Sequence, residues 1–134
     1  MLDKIHAFFV ALGTLFSISC GGMDQVFMVL ITLSILDVIA GLMAAFKVGP
    51  FSFRKFFAGS PKKLFIYIII VMAVALDRIG LTSEPIFRTL AIWYYIGYEG
   101  LSVLKHAAVF GLPIPGVIKK ALEQAQEKGE AGNG

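Results

Sequence analysis

Two carboxylates stand where carboxylates are costly. Asp37 is the single chargeable residue between Val26 and Phe46, and Glu99 lies inside the aromatic, apolar run Ile86–Leu104. An acid inside a membrane-spanning helix costs roughly 2.5–3.5 kcal/mol on insertion scales, so it is functional or compensated by neighbours. Two readings stay open for both. In one, the acid is protonated or hydrogen-bonded at a helix contact, with Tyr94, Tyr95 or Tyr98 as partner. In the other, it faces a water-filled path. The sequence offers neither acid a deep basic partner. Other chemistry is missing: there is no GxSxG, no HExxH, no cysteine cluster and no phosphate-binding loop. His6 and His106 lie at opposite ends and match no ligand set. The single cysteine, Cys20, excludes an intrachain disulfide and a thiolate metal site. It reads as a small apolar helix residue, with a disulfide-linked dimer as the alternative. No catalytic residue, cofactor or metal is expected.

The elements that hold these acids follow from composition. The chain has 134 residues, 57% of them hydrophobic, with mean hydropathy +0.81. A soluble domain of this size cannot hide so much apolar surface. The expectation is a single all-α membrane domain over residues 1–134, with three to four transmembrane helices and a short amphipathic C-terminal helix. About 20 apolar residues cross a ~30 Å hydrocarbon layer. Residues 25–46 are the strongest span, with Asp24 placed to cap them. Residues 64–81 and 86–104 follow, joined by a turn at Thr82–Pro85 in which Ser83 is a candidate cap for the second. Residues 5–20 are short for a span and end at Gly21-Gly22; with only Lys4 beside Asp3 in front, they make a weak signal peptide. From Lys105 a tail begins. Gly111–Gly116 interrupts the helix, and Val117, Ile118, Ala121, Leu122 and Ala125 then share one apolar face. Gly129–Gly134 reads as a disordered end.

Orientation follows from the cations. The loop 47–63 holds Lys47, Arg54, Lys55, Lys62 and Lys63 and no acid, which places it in the cytoplasm and at the lipid headgroups. Phe51, Phe53, Phe56 and Phe57 alternate with these cations, as in a segment lying in the membrane interface. Tethered between membrane helices, the loop is a poor nucleic-acid site. Lys105, Lys119, Lys120 and Lys128 place the C-terminus inside, against Arg78 and Arg88 in the outer turn, where both can snorkel outward. Asp37 lies ten residues from Lys47, about 15 Å in at 1.5 Å per residue, and Glu99 six residues from Lys105, about 9 Å in. Small residues suited to close helix approach surround the acids: Gly41, Ala44 and Ala45 after Asp37, Gly97 and Gly100 around Glu99. With the acids, they are the pore or oligomer candidates.

The ordered set resembles a known family. Asp37-Val38-Ile39-Ala40-Gly41, the basic loop ending in Lys62-Lys63, Asp77 closing the next helix, Tyr98-Glu99-Gly100-Leu101-Ser102-Val103-Leu104 and Gly111-Leu112-Pro113-Ile114-Pro115 follow one another as in phage holins of the toxin-secretion/phage-lysis type, which include clostridial toxin-release proteins. Ala40 stands where that family commonly has Thr or Ser, and Lys105-His106 where it has Glu-Asn. The resemblance implies a small protein of the bacterial inner membrane that accumulates, homo-oligomerises and opens lesions. A functionally partnered endolysin escapes through them, and an antiholin is a possible second partner. A small proton-coupled transporter and an antiholin-type regulatory subunit are the alternative functions.

Overall fold

The computed structural model describes residues 1–58 and 60–131, and every described regular element is helical: α1 (Leu2–Ser19), α2 (Gln25–Val48), α3 (Phe53–Ala58), α4 (Ser60–Arg78), α5 (Phe87–Val109) and α6 (Gly116–Ala131). Among the described residues, three stretches are long and apolar enough to cross a membrane: Leu2–Ser19, Gln25–Val48 and Phe53–Arg78. The first two correspond to the expected short helix and the expected strongest span. α5 is not among them, because its acid, cations and tyrosines dilute it. It is nevertheless the central helix, along which α2, α4 and α6 pack. A helix enclosed by others can be less apolar than one that faces lipid. The core joins Phe27 and Leu30 of α2, Ile66 and Ile70 of α4, Ile92 and Ile96 of α5, and Cys20 and Ala125.

One end of the bundle is locked by two ionic devices. Asp24 caps α2 by accepting from the Phe27 amide at 3.0 Å, as expected. Arg88 then reaches back from α5: its Nη1 donates to Asp24 Oδ2 at 2.7 Å, its Nη2 to the Gly22 carbonyl at 2.9 Å, and its Nε to the Cys20 carbonyl. It is a clamp, and the expected outward snorkelling is replaced by these bonds. Gly21 has φ +86, and a Cβ there would collide with the Arg88 guanidinium, so glycine meets two demands at one position. The second device corrects another expectation. Ser83 does not cap α5. The Asp77 carboxylate, from the end of α4, accepts from the Phe87 amide at 2.8 Å and the Arg88 amide at 3.0 Å.

Three boundaries differ from the sequence reading. Lys62 and Lys63 belong to the first turn of α4, not to a loop, and α3 forms inside the aromatic, basic segment. α5 continues five residues past Leu104 and stops at Gly111, whose φ is +73. Gly129 to Ala131 is helical, not disordered; the remainder of that expected disorder, residues 132–134, lies outside the described residues. α6 does not trail away. Leu122 and Gln126 pack on Gly97, Leu122 on Gly100, and Gly129 on Leu90 and Tyr94, so α6 runs antiparallel along α5. Its buried side is Leu122, Ala125, Gln126 and Gly129, whereas Val117 and Ile118 of the expected apolar face are exposed. α1 has no buried residue; it meets the bundle at its end, where the Phe16 ring approaches Phe27 and Tyr67.

Replacing Asp77 with Ala removes both acceptors at the start of α5 and should cost about 1–2 kcal/mol, as for other lost caps; unfolding in detergent micelles measures it. Asp24 adds a pH dependence. Its bond with Arg88 holds the carboxyl below the ordinary carboxylate range, against a smaller opposing effect of burial. A depressed folded-state value stabilises the protein above the ordinary range, and that contribution disappears as pH falls through the lower folded value. Asp24→Asn should therefore melt slightly lower at neutral pH, since an exposed pair contributes little, and the difference should close in acid.

Candidate functional site: a buried charge cluster

The expectation that the deep acids lack a basic partner is wrong. Lys63 Nζ lies 2.5 Å from Asp37 Oδ2 and 2.5 Å from Glu99 Oε2, donating to both. Counting from the clamped end explains the meeting. Asp37 is thirteen residues after Asp24, Lys63 fourteen before Asp77, and Glu99 twelve after Phe87. At 1.5 Å per residue the three side chains leave their helices at one level, about 18–21 Å from that end. Glu99 is also as far from the other end of its helix as Asp37 is from Lys47, because α5 runs on to Val109. The shallower depth expected for Glu99 followed from ending that helix too early.

The cluster is nearly dry. Glu99 is fully buried and Asp37 is 8% exposed, while Lys63 enters from a half-buried position. Two carboxylates and one ammonium leave a formal charge of −1. His106 stands at the fourth corner, its Nε2 3.2 Å from Asp37 Oδ1, where an imidazolium would close the balance. Asp37 Oδ1 and Glu99 Oε1 are buried without a hydrogen bond. Such groups are costly unless a proton or water satisfies them. A cleft of about 430 Å³ reaches the cluster from the α3 side, past Lys55, Phe56 and Phe57, and includes Gly41 in its wall. The arrangement can hold and transfer protons and can admit water. No group of His, Cys, Asp or Glu among the described residues is placed to hold a metal ion.

The other candidates divide by what they touch. Gly41 makes room for the His106 ring, since a Cβ there would lie 3.2 Å from Nε2. Ala44 is buried and Ala45 half-buried. Gly97 and Gly100 face α6 of the same chain. Tyr94, Tyr95 and Tyr98 do not bond the acids; the tyrosine nearest in role is Tyr67, which donates to Ser34 Oγ at 2.8 Å, one turn before Asp37. Lys47 sits 5.0 Å from the centre of the Phe110 ring and ties the ends of α2 and α5. Arg54, Lys55 and Lys62 are exposed. His106 and the bridging role of Lys63 were missed. The available signal was the near-equal offset of Asp37, Lys63 and Glu99 from the outer turns.

Lys63→Met should destabilise the protein by roughly 3–5 kcal/mol, the usual cost of stranding buried charges. Adding Asp37→Asn and Glu99→Gln should recover most of it. Equal unfolding midpoints for Lys63→Met and the unaltered chain would show that the acids do not depend on the lysine.

Comparison with known proteins gives the site its context. No solved structure matches the chain. The uncharacterized 14.9 kDa protein in the nagH 3′ region of Clostridium perfringens is 35% identical over 119 residues, covering 89% of this chain and 90% of that protein. YtkC, an uncharacterized protein of Bacillus subtilis, is 30% identical over 81% of this chain and 80% of its own length. A protein of Bacillus phage phi105 described as a probable holin is 32% identical over 94 residues, 69% of this chain and 68% of that one. The bacteriophage holin family matches residues 14–127, from the last turns of α1 into α6, and so takes in every member of the charge cluster. On that match the chain belongs to the bacteriophage holin family, as its ordered motifs suggested.

Proposed function

We propose that this membrane protein acts as a holin: it accumulates in the bacterial inner membrane, associates with further copies of itself and opens lesions through which an endolysin or toxin leaves the cytoplasm. The observation that carries the reading beyond family membership is the Asp37–Lys63–Glu99 bridge, buried at one level among apolar helices. Membership itself supports a non-enzymatic membrane protein that assembles. In a compact chain the lysine compensates the two acids. Helices that part admit water to all three groups, and hydration then replaces the bridge. The charges thus favour a closed packing in lipid and tolerate an open, wet one. The cations between α2 and α4, and Lys105, Lys119 and Lys120 on the helix ends that flank the α5–α6 turn, support a cytoplasmic position for both connections.

A second reading, a small proton-coupled transporter, draws on the cleft that reaches Asp37 and Lys63 from the α3 side. It demands saturable, substrate-specific flux without passage of whole proteins.

Inducible expression with a cytoplasmic endolysin separates the two. The expected result is abrupt lysis and release of a folded reporter enzyme, with the moment of lysis displaced by Asp37→Asn at equal protein level. Timing unchanged by that substitution would remove the cluster from the mechanism. Solute flux without reporter release would favour the transporter.

A further inference from the structure

The holin reading leaves α6 unused. Half of its sixteen residues carry charged or amide side chains, and the sequence alone places such a helix on a surface. Its contacts place it elsewhere. Gly97 and Gly100 provide a shallow seat in which Leu122 lies directly against α5, and a Cβ at Gly129 would meet the Leu90 carbonyl and the Tyr94 amide at 2.5 Å. Lys128 Nζ sits 4.3 Å from the centre of the Trp93 ring. Trp93 is six residues from the start of α5, about 9 Å at the helical rise. From Leu122 to Gly129, therefore, α6 lies alongside the middle and the Asp24–Asp77 end of α5.

This placement creates an electrostatic problem. α5 packs against α2 and α4, which lie within the most apolar stretches of the bundle. A bilayer that covers those two helices also covers the level of Glu127 and Lys128. The side of α6 turned away from α5 carries Lys120, Gln124 and Glu127 at helical spacing, all exposed. Charged side chains at bilayer depth face a bundle interior or a water-filled cavity rather than hydrocarbon. No described element covers this face, so further copies of the chain or water must satisfy it. One chain cannot enclose a column of water, but a ring of copies can.

We infer that α6 is the lining helix of the assembled state: several copies surround an aqueous opening, each turning Lys120, Gln124 and Glu127 toward the water with α5 behind. This rests on the lesion-forming reading and adds which helix meets the lumen. It also assigns Gly97 and Gly100 to a contact within one chain, supporting the lining helix.

Ion selectivity in planar bilayers tests this with the full-length chain under a potassium chloride gradient. Glu127→Lys with Gln124→Lys, both on the exposed face, should retain conductance and shift the permeability ratio several-fold toward chloride. Glu84→Lys in the α4–α5 turn should leave it unchanged. Conductance with unaltered selectivity in the α6 variant overturns the inference and leaves the holin reading standing. Absence of conductance from the unaltered chain, together with no reporter release in cells, overturns both. Seating of α6 in the membrane is read separately: in a Cys20→Ala background, Trp93→Cys and Lys128→Cys should be joined within one chain by a short bismaleimide. Failure of that link while conductance persists would show α6 away from α5 and also defeat the inference.

Discussion

The structure depends on one ammonium group. Lys63 stands between Asp37 of α2 and Glu99 of α5 and holds both carboxylates, so three helices share a single electrostatic centre. Without it, two acids would sit in an apolar interior, and a buried unpaired charge is among the most destabilising features a fold can carry. The register of the bundle follows from the same requirement. α4 must bring its first turn to the level of the acids, and it does so because the Asp77 and Arg88 bonds lock the opposite ends of the helices together. The clamp and the bridge lie about 20 Å apart and act as one measuring device.

That arrangement satisfies some groups and leaves others wanting. Asp37 Oδ1 and Glu99 Oε1 have no hydrogen bond, and the formal charge of the Asp37–Lys63–Glu99 group is not zero. His106 beside Asp37 is the nearest group able to restore neutrality. A site of this kind is stable enough to hold a closed chain together and gains from hydration. The same tension appears at α6, where glycine seats hold a polar helix against the bundle and leave a charged face outward. Both features leave polar groups that water satisfies better than lipid does. α1, apolar and without buried residues, presents its surface to whatever surrounds the bundle.

Much of this was legible in the residues. The all-helical class, the strong span after Asp24, the cap itself, the interruption at Gly111–Pro115 and the costly placement of Asp37 and Glu99 came from hydrophobic run length and from the cost of charge in lipid. Those are local properties. The ordered motifs pointed to the family because five short patterns in sequence carry more information than any one. The pairing of Lys63 was not legible from the loop in which the sequence seemed to place it. The cations around it read equally well as headgroup contacts, and nothing local distinguishes one inward-turned lysine from its neighbour Lys62.

The sequence by itself determined the helical class, the strongest apolar span and the presence of two costly acids, because hydrophobicity, capping and helix breaking act within a few residues of their cause. The tertiary structure alone decided that Lys63 answers both acids, that Asp77 and not Ser83 begins α5, that His106 joins Asp37, and that α6 folds back on Gly97 and Gly100. Each of these joins residues on different helices. Their meeting depends on helix register and crossing, which arise from packing the whole chain at once and leave no periodic trace along it.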